Sequence, residues 1–379
     1  MGQDTTAAPV DEQWLRRAIE LAARGPAVDP NPRVGAVIVA DARDGAAGLE
    51  VGSGWHHGAG TPHAEVHALA AAGPAARGAT AYVSLEPCNH TGRTGPCAQA
   101  LIAAGVSRVV FAQSDPGVAS GGGAETLRAA GIAVEAGLLA AEAAELNRDF
   151  TFAIQHGRPR VTWKYAATLD GRSAAADGTS QWITGPAARA EVGRARARHG
   201  AIVVGTGTAL ADDPRLTARD VAGELLPTQP LRVILGHREL PVDAAVFDAA
   251  APTVQLRTHS VTEALAALFD RGIRSVWLEG GPQLAAAFWR AGCIDDVIAW
   301  LAPKLLGSGA AAVADLGIGT IAEAAEFDTV AVRQVGPDLC WQLRRRVDPP
   351  TAEPDVAPRT VVSAVDPESS LTTNPVKEQ

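Results

Sequence analysis

Between Trp14 and Arg24 the apolar positions Trp14, Leu15, Ala18, Ile19 and Ala22 recur at helical spacing and stop at Gly25-Pro26, which predicts a helix. The runs RVGAVIVA (33–40) and ATAYVSL (79–85) are short, apolar or β-branched and punctuated by glycine or polar residues, as buried strands are. Helical patterns over Thr61–Ala72 and Cys97–Ala104 flank the second run, and SRVVFA (107–112) and IAVEAG (132–137) predict further strands around the helix AETLRAAG. The alternation implies a mainly parallel or mixed sheet covered on both faces. Around NRDFTFAIQHGRPR (147–160) the pattern resets, and the same logic resumes. Strands are predicted at VTWKYAATL, GAIVVG, LRVILG, SVWLEGG and DDVIAWLAP, and helices over 187–199, 261–271 and 282–291.

The expected organisation is a flexible lead (1–10), a first α/β domain (11–149), a second (150–346) and a disordered tail (347–379) in which six prolines accompany Ser, Thr and Glu. A chain of 379 residues with 47% hydrophobic and 20% charged residues is ordinary for a globular protein of about two or three domains. Its net charge of −9, without a long basic run, argues against a nucleic-acid partner and for small ligands. No run of about 18 apolar residues predicts a membrane span, and the first residues lack the pattern of a signal peptide, so the expectation is a cytoplasmic protein. Met1-Gly2 with Thr6 meets the short myristoylation pattern, against which a plain N-terminus is weighed.

Four cysteines in so long a chain do not make a disulfide framework, which turns attention to the close pair Cys88 and Cys97. Upstream, TPHAEVHALAAAG offers Thr61 as a helix cap, Pro62 in the first turn, and then His63 and Glu65. His63, Cys88 and Cys97 suffice for a catalytic zinc that keeps one position open for water. Cys97 follows Pro96 at a second helix start, where the dipole favours thiolate. Glu65, not itself a ligand, is placed to carry the proton from water to a leaving ammonia, the H-x-E, P-C, C arrangement of nucleobase deaminases. The eight residues between the cysteines exceed the usual two. His67 shares the helix face of His63 but H-A-E-V-H is not H-E-x-x-H, so it is left off the metal. A structural zinc with His90 as fourth ligand stays open, although it leaves Glu65 without a role.

In the later half, strands run into Gly205-Thr206-Gly207 and into Gly280-Gly281. Neither is G-x-G-x-x-G, because Leu210 stands at the third glycine position. Both offer a glycine turn with backbone N–H groups for phosphate oxygens, or simply a tight turn. Arg196, Arg198, Arg215 and Arg219 are candidate phosphate ligands or plain surface charges, and Asp212-Asp213-Pro214 is a turn or a ribose contact.

Taken together, DPNPRVGAVIV, GWHHGAGTPHAEVHAL, AYVSLEPCNHTGRTGPC, ALIAAGVSRVV, TLDGRSA, SQWITGPAAR, LADDPRLTAR, EGGPQLAAAF and APKLLG closely resemble, in order, the bifunctional deaminase/reductase of riboflavin biosynthesis. The resemblance spans roughly Trp14 to Arg345 and accounts for the long gap between the cysteines, since that family uses P-C-x8-C. It implies an α/β fold made of an N-terminal cytidine-deaminase-like α/β/α domain followed by a dihydrofolate-reductase-like α/β domain. The implied cofactors are Zn2+ and NADPH, and the implied assembly is a homo-oligomer. The first domain would remove the ring 2-amino group of 2,5-diamino-6-(5-phosphoribosylamino)pyrimidin-4-one, and the second would reduce ribosyl to ribityl.

Carried over position by position, His63, Cys88 and Cys97 match the zinc ligands and Glu65 the proton carrier, while Asn31 and His56 match positions that hold the deaminase substrate. Ala166, Ser180, Thr208, Asp212, Gly281, Pro282, Gln283, Leu284, Ala285, Ala286 and Ala287 match nicotinamide-nucleotide contacts. Ser180, Trp182, Arg196, Leu216, Arg219 and Glu279 match substrate contacts. The chain departs from the family after LRVIL, where Gly236-His237 replaces the common Asp-Ser, leaving His237 or Arg238 as candidates for the 2′-phosphate. Lys164 and Asp212 are the candidates for the reductase proton donor. A nucleic-acid deaminase and a zinc-stapled nucleotide-binding module are the alternatives, the first disfavoured by the acidic charge.

Overall fold

The computed structural model describes residues 7–40, 48–90 and 95–346. The expected tail (347–379) and the myristoylation pattern ending at Thr6 lie outside the described residues, as does the start of the expected flexible lead. The first helix, α1 (Ala7–Ala22), begins earlier than its apolar spacing predicted and includes residues 7–10.

Five strands form the first sheet: β1 (Gly35–Ala40), β2 (Leu49–Trp55), β3 (Thr80–Leu85), β4 (Arg108–Gln113) and β5 (Ala133–Ala136), in the order β2-β1-β3-β4-β5. β1 runs antiparallel to β2 and β3, while β3, β4 and β5 are parallel. Because side chains alternate along a strand, Ala36 and Ile38 of β1 pack with α2 (Ala64–Ala72), α3 (Cys97–Ala104) and α4 (Gly123–Ala129). Val37 and Val39 pack on the other side with α1 and with Ala143 of α5 (Ala140–Leu146). The result is three layers, helix on sheet on helix. β2 escaped the sequence reading because Gly52 and Gly54 look like turn residues. They serve instead as a seat for α2: a Cβ on Gly52 would lie 2.3 Å from the Ala68 carbonyl oxygen, and one on Gly54 would lie 2.4 Å from the His67 Cβ. Only glycine lets that helix lie so close to the strand.

The stretch read as a polar reset contains a helix, α6 (Arg148–His156), packed against two strands of the second sheet, β6 (Arg160–Thr168) and β10 (Ser275–Leu278). That sheet also holds β7 (Ala201–Gly205), β8 (Leu231–Leu235), β9 (Thr253–Leu256), β11 (Asp296–Ala302), β12 (Phe327–Val335) and β13 (Asp338–Arg345). Its order is β12-β13-β11-β6-β10-β7-β8-β9. The six strands from β11 to β9 are parallel, and β13 is antiparallel to both β11 and β12. α9 (Val261–Asp270) and α10 (Pro282–Arg290) cover one face, and α7 (Pro186–Arg196) with α8 (Thr206–Asp212) the other. Parallel strands buried on both faces explain the continuous apolar runs that made this half readable.

Charge pairs fasten α6 to the second sheet, and a hydrogen bond joins the two halves. Asp296, at the start of β11, pairs with Arg148 at 2.7 Å and with Arg160, which also donates to Asp149 at 2.8 Å. The Arg274 Nε donates to the Pro30 carbonyl at 3.1 Å. Among the described residues no helix is long and apolar enough to cross a membrane.

Candidate active sites: a His-Cys-Cys cluster and a glycine-edged sheet end

α2 and α3 bring their first turns together. The Nδ1 of His63 and the sulfurs of Cys88 and Cys97 all lie within 4.8 Å of one another, and both cysteines are buried. The imidazole nitrogen is 3.2 Å from the Cys97 sulfur and 3.5 Å from that of Cys88. One imidazole and two thiols, three borderline-to-soft donors, fit a zinc ion with a fourth position left for a reactant. Neither rival ligand joins the group: His90 is exposed, and His67 stacks on His57 with ring centroids 4.6 Å apart.

Two local details differ from expectation. Thr61 does not cap α2, because its hydroxyl donates to the Gly58 carbonyl at 2.7 Å; the helix starts after His63, whose backbone is extended. The second concerns Cys97, which opens α3. The Cys97 N–H donates to the Cys88 sulfur at 3.4 Å, and Cys88, bonded also by the Cys97 thiol and His63, is the thiol lowered toward thiolate. The neighbouring Cys88 sulfur and burial raise that of Cys97.

Glu65 is 3% exposed, and burial pushes its carboxyl up to about 7 against the pull of its own backbone N–H. The Cys88 loop is braced by a residue the sequence reading passed over. Glu86 accepts from the Ala124 N–H at 3.0 Å and from the Asp115 N–H at 3.2 Å, fastening the loop to the start of α4. There a Cβ on Gly123 would lie 1.7 Å from the Pro87 carbonyl oxygen. Glu86 sits directly before Pro87-Cys88, the only signal that could have found it.

His56, 4% exposed, has its ring edge-on to that of His63 with centroids 5.5 Å apart. Its Nδ1 donates to the Pro62 carbonyl at 3.2 Å, so its Nε2 is the acceptor for the Asn31 amide at 3.2 Å. Burial lowers the His56 pKa and keeps the ring neutral. Asp29, unremarked in the sequence, holds this corner by accepting from the Asn31 N–H and the Ala59 N–H, both at 2.9 Å.

The second group gathers at the carboxyl ends of the parallel strands, where open α/β sheets bind ligands. Thr208, in α8 after β7, accepts from the Gly281 N–H at 3.3 Å across the mouth of β10, and Pro282 opens α10. α10 has no side-chain cap, so the first-turn donors after Gly281 fit a dinucleotide pyrophosphate. Ala166 lies on β6 within the same sheet. Gln283 is exposed and Leu284 and Ala287 are half-buried, whereas Ala285 and Ala286 are fully buried and turn their methyls into the protein. Asp212 is exposed at the end of α8, and its neighbour Asp213 makes the turn, with φ 38° and a bond from the Ala245 N–H at 2.8 Å.

Arg196 and Glu279, expected substrate contacts, grip each other: Nε and Nη2 donate to the two carboxylate oxygens, each at 2.7 Å, and Nη1 donates to the Thr217 carbonyl at 3.0 Å. Burial opposes ionisation of Glu279, but the Arg196 and Lys164 charges with the Arg196 and Trp277 hydrogen bonds bring its carboxyl down to about 2. Burial lowers the Lys164 pKa. Arg219 donates to the Thr217 hydroxyl and the Gly223 carbonyl at 2.9 and 2.6 Å, which leaves one guanidinium nitrogen without a described partner. Leu216, with φ 53°, is buried beside it. Ser180 and Trp182 are exposed on the loop after β6. The Trp182 ring lies under the Arg189 guanidinium at 4.3 Å and its backbone carbonyl accepts from the Lys304 ammonium at 2.8 Å, two partners not evident in the sequence.

The comparisons with known proteins bear on both groups. Residues 9–113 match the cytidine and deoxycytidylate deaminase zinc-binding region, and residues 159–341 match the RibD C-terminal domain. The riboflavin biosynthesis protein RibD of Mycobacterium tuberculosis is 51% identical over 318 residues, covering 84% of this chain and 92% of that one. The chain belongs to the RibD family. The Escherichia coli member is 42% identical over 368 residues, covering 88% of this chain and 99% of its own. A solved Acinetobacter baumannii RibD is 40% identical with a TM-score of 0.81, covering 90% of this chain and all of the other. A Thermotoga maritima structure described as a diaminohydroxyphosphoribosylaminopyrimidine deaminase/5-amino-6-(5-phosphoribosylamino)uracil reductase is 34% identical with a TM-score of 0.77. RibD proteins are bifunctional enzymes of riboflavin biosynthesis, a zinc-binding deaminase joined to an NADPH-dependent reductase, and this chain is one of them.

Proposed function

We propose that residues 11–149 deaminate 2,5-diamino-6-(5-phosphoribosylamino)pyrimidin-4-one at the ring 2-amino position, and that residues 150–346 then reduce the ribosyl group to ribityl. The observation that carries the reading is the approach of His63, Cys88 and Cys97 within 4.8 Å, with buried Glu65 two residues from His63. A zinc ion held there supplies Lewis acidity toward a water. Glu65 takes the proton of the attacking water and hands it to the departing amine, so that ammonia leaves and a ring carbonyl remains. Neutral His56 and Asn31 hold the pyrimidine beside it.

In the second half, bound NADPH would supply the hydride that the ribose C1 needs. Ala166, Ser180, Thr208, Asp212 and the run Gly281 to Ala287 would hold the cofactor. Ala285 and Ala286 contribute through backbone, because their methyls are buried. Trp182, Leu216, Arg219 and the Arg196–Glu279 pair hold the sugar phosphate, and Lys164, beside Glu279, is the candidate to protonate the ribose ring oxygen. Arg238 donates to the Thr206 hydroxyl at 3.4 Å near Gly207, and we assign it and exposed His237 to the cofactor 2′-phosphate.

The four unpaired cysteines agree with a reducing cytoplasm. The exposed Val330, Val332, Leu339 and Trp341 of β12 and β13 support a homo-oligomer. Glu65→Gln tests the central assignment. Ammonia release is expected to fall by about a hundredfold or more, with zinc content and NADPH oxidation on the deaminated intermediate retained. Undiminished ammonia release would refute the proton-carrier role.

A further inference from the structure

A cleft of about 640 Å³ opens between the two sheets, on the side away from the carboxyl ends of β6, β7 and β10. Its wall brings together six guanidiniums, of Arg33, Arg148, Arg160, Arg198, Arg271 and Arg274, against three carboxylates, of Asp29, Glu145 and Asp149. In a chain of net charge −9 this is a local inversion of sign. Arg148 and Arg160 are neutralised by Asp296, Asp149 and Glu145. Asp29 spends both oxygens on backbone N–H groups.

The other four arginines make no ion pair among the described residues. Arg271 donates to the Ala267 carbonyl, and Arg274 to Pro30, Phe269 and Ile273 carbonyls. Arg33 donates to the Ala23 carbonyl, yet its Nε is buried with no hydrogen-bond partner among the described residues. Burial lowers the pKa of both Arg33 and Arg274, for Arg274 against the opposing charge of Asp29. The start of α6 completes the wall. Its natural cap, Asn147, is turned away, accepting from the Arg33 N–H at 2.8 Å and donating to the Arg33 carbonyl at 2.9 Å, so α6 has no side-chain cap.

We propose that this cleft binds a small molecule bearing a phosphate ester, held by Arg33, Arg198, Arg271 and Arg274 and by the first turn of α6. Guanidinium forks match phosphate oxygens two at a time, and an uncapped helix start adds N–H donors. The volume suits a sugar phosphate or nucleotide. The site is separate from the reductase ligand groups, which lie at the opposite ends of the same strands.

The test is calorimetric titration of the zinc-loaded, NADP+-saturated full chain with ribose 5-phosphate and with inorganic phosphate. Ribose 5-phosphate is expected to bind at least fivefold more tightly than inorganic phosphate. Its affinity should fall tenfold or more in Arg198→Gln/Arg274→Gln and persist in Arg219→Ala, which alters the other phosphate-binding group. Arg198→Gln/Arg271→Gln, at two exposed positions, should show the same loss and guards against misfolding. Unchanged affinity in both double variants would overturn the site, and equal affinity for the two probes would overturn the assignment of an ester.

Discussion

Glu65 and Glu279 are both buried carboxyls, and their surroundings drive them in opposite directions. Glu65 is left to burial and rises to about 7, whereas Glu279 lies between Arg196 and Lys164 and falls to about 2. The depressed carboxyl contributes stability above its unfolded value near 4.5 and loses it as pH falls toward 2. A shift of that size is worth about 3 kcal/mol. Denaturant unfolding of the wild type should therefore lose stability between about pH 5 and pH 2 more steeply than Glu279→Gln does; parallel curves would mean that the ion pair is not responsible. Arg238 makes a second residue-level case. A charge-assisted bond to the 2′-phosphate is worth about 1.5–3 kcal/mol, so Arg238→Ala should raise KM for NADPH by roughly ten- to a hundredfold and leave NADH unaffected. An unchanged preference would return the role to His237 or to neither. Residue chemistry was the most legible layer: His63, Glu65, Cys88 and Cys97 announce themselves by type and spacing. Glu86 and Asp29 did not, because a carboxylate that braces backbone N–H groups looks in sequence like any surface acid.

At the scale of elements, the position of α2 decides where His63 and Glu65 stand, and two glycines of β2 decide the position of α2. Gly52→Ala forces a methyl against a backbone oxygen, and overpacking of this kind costs about 1–3 kcal/mol. The expected outcome is a lower melting temperature together with weaker zinc retention on dialysis; a destabilised variant that keeps its zinc would separate the two. These same glycines hid β2 from the sequence reading, since a glycine-rich run reads as a turn when the helix pressed against it is unseen. β9 was not legible because its four positions are only half-buried and include Gln255, unlike the equally short but fully buried β10, and β12 and β13 because as an exposed edge hairpin they carry no continuous apolar run. The buried parallel strands β6, β7, β8, β10 and β11 were readable for the opposite reason. α6 reads in sequence as a polar boundary because its apolar side faces the second sheet while Arg148, Asp149 and Arg158 around it serve ion pairs.

Across the whole molecule, α6 is fastened to the second sheet by charge, and Asp296 is the hub. It is 7% exposed and meets both Arg148 and Arg160. Removing one partner of a buried pair strands the others, at about 3–5 kcal/mol, so Asp296→Asn should lower the unfolding free energy by that order in chemical denaturation. The alternating pattern of the chain made two α/β units legible, but not this seam, whose partners lie more than a hundred residues apart in sequence. The division of labour between the halves is the central claim, and metal removal tests it most directly. Ammonia release and NADPH oxidation on the deaminated intermediate should be measured on the same full-length sample before chelation, after it, and after zinc is returned. The expected result is loss of ammonia release, its recovery with zinc, and unaltered NADPH oxidation throughout. Ammonia release that survives in demonstrably zinc-free, folded protein would contradict the account.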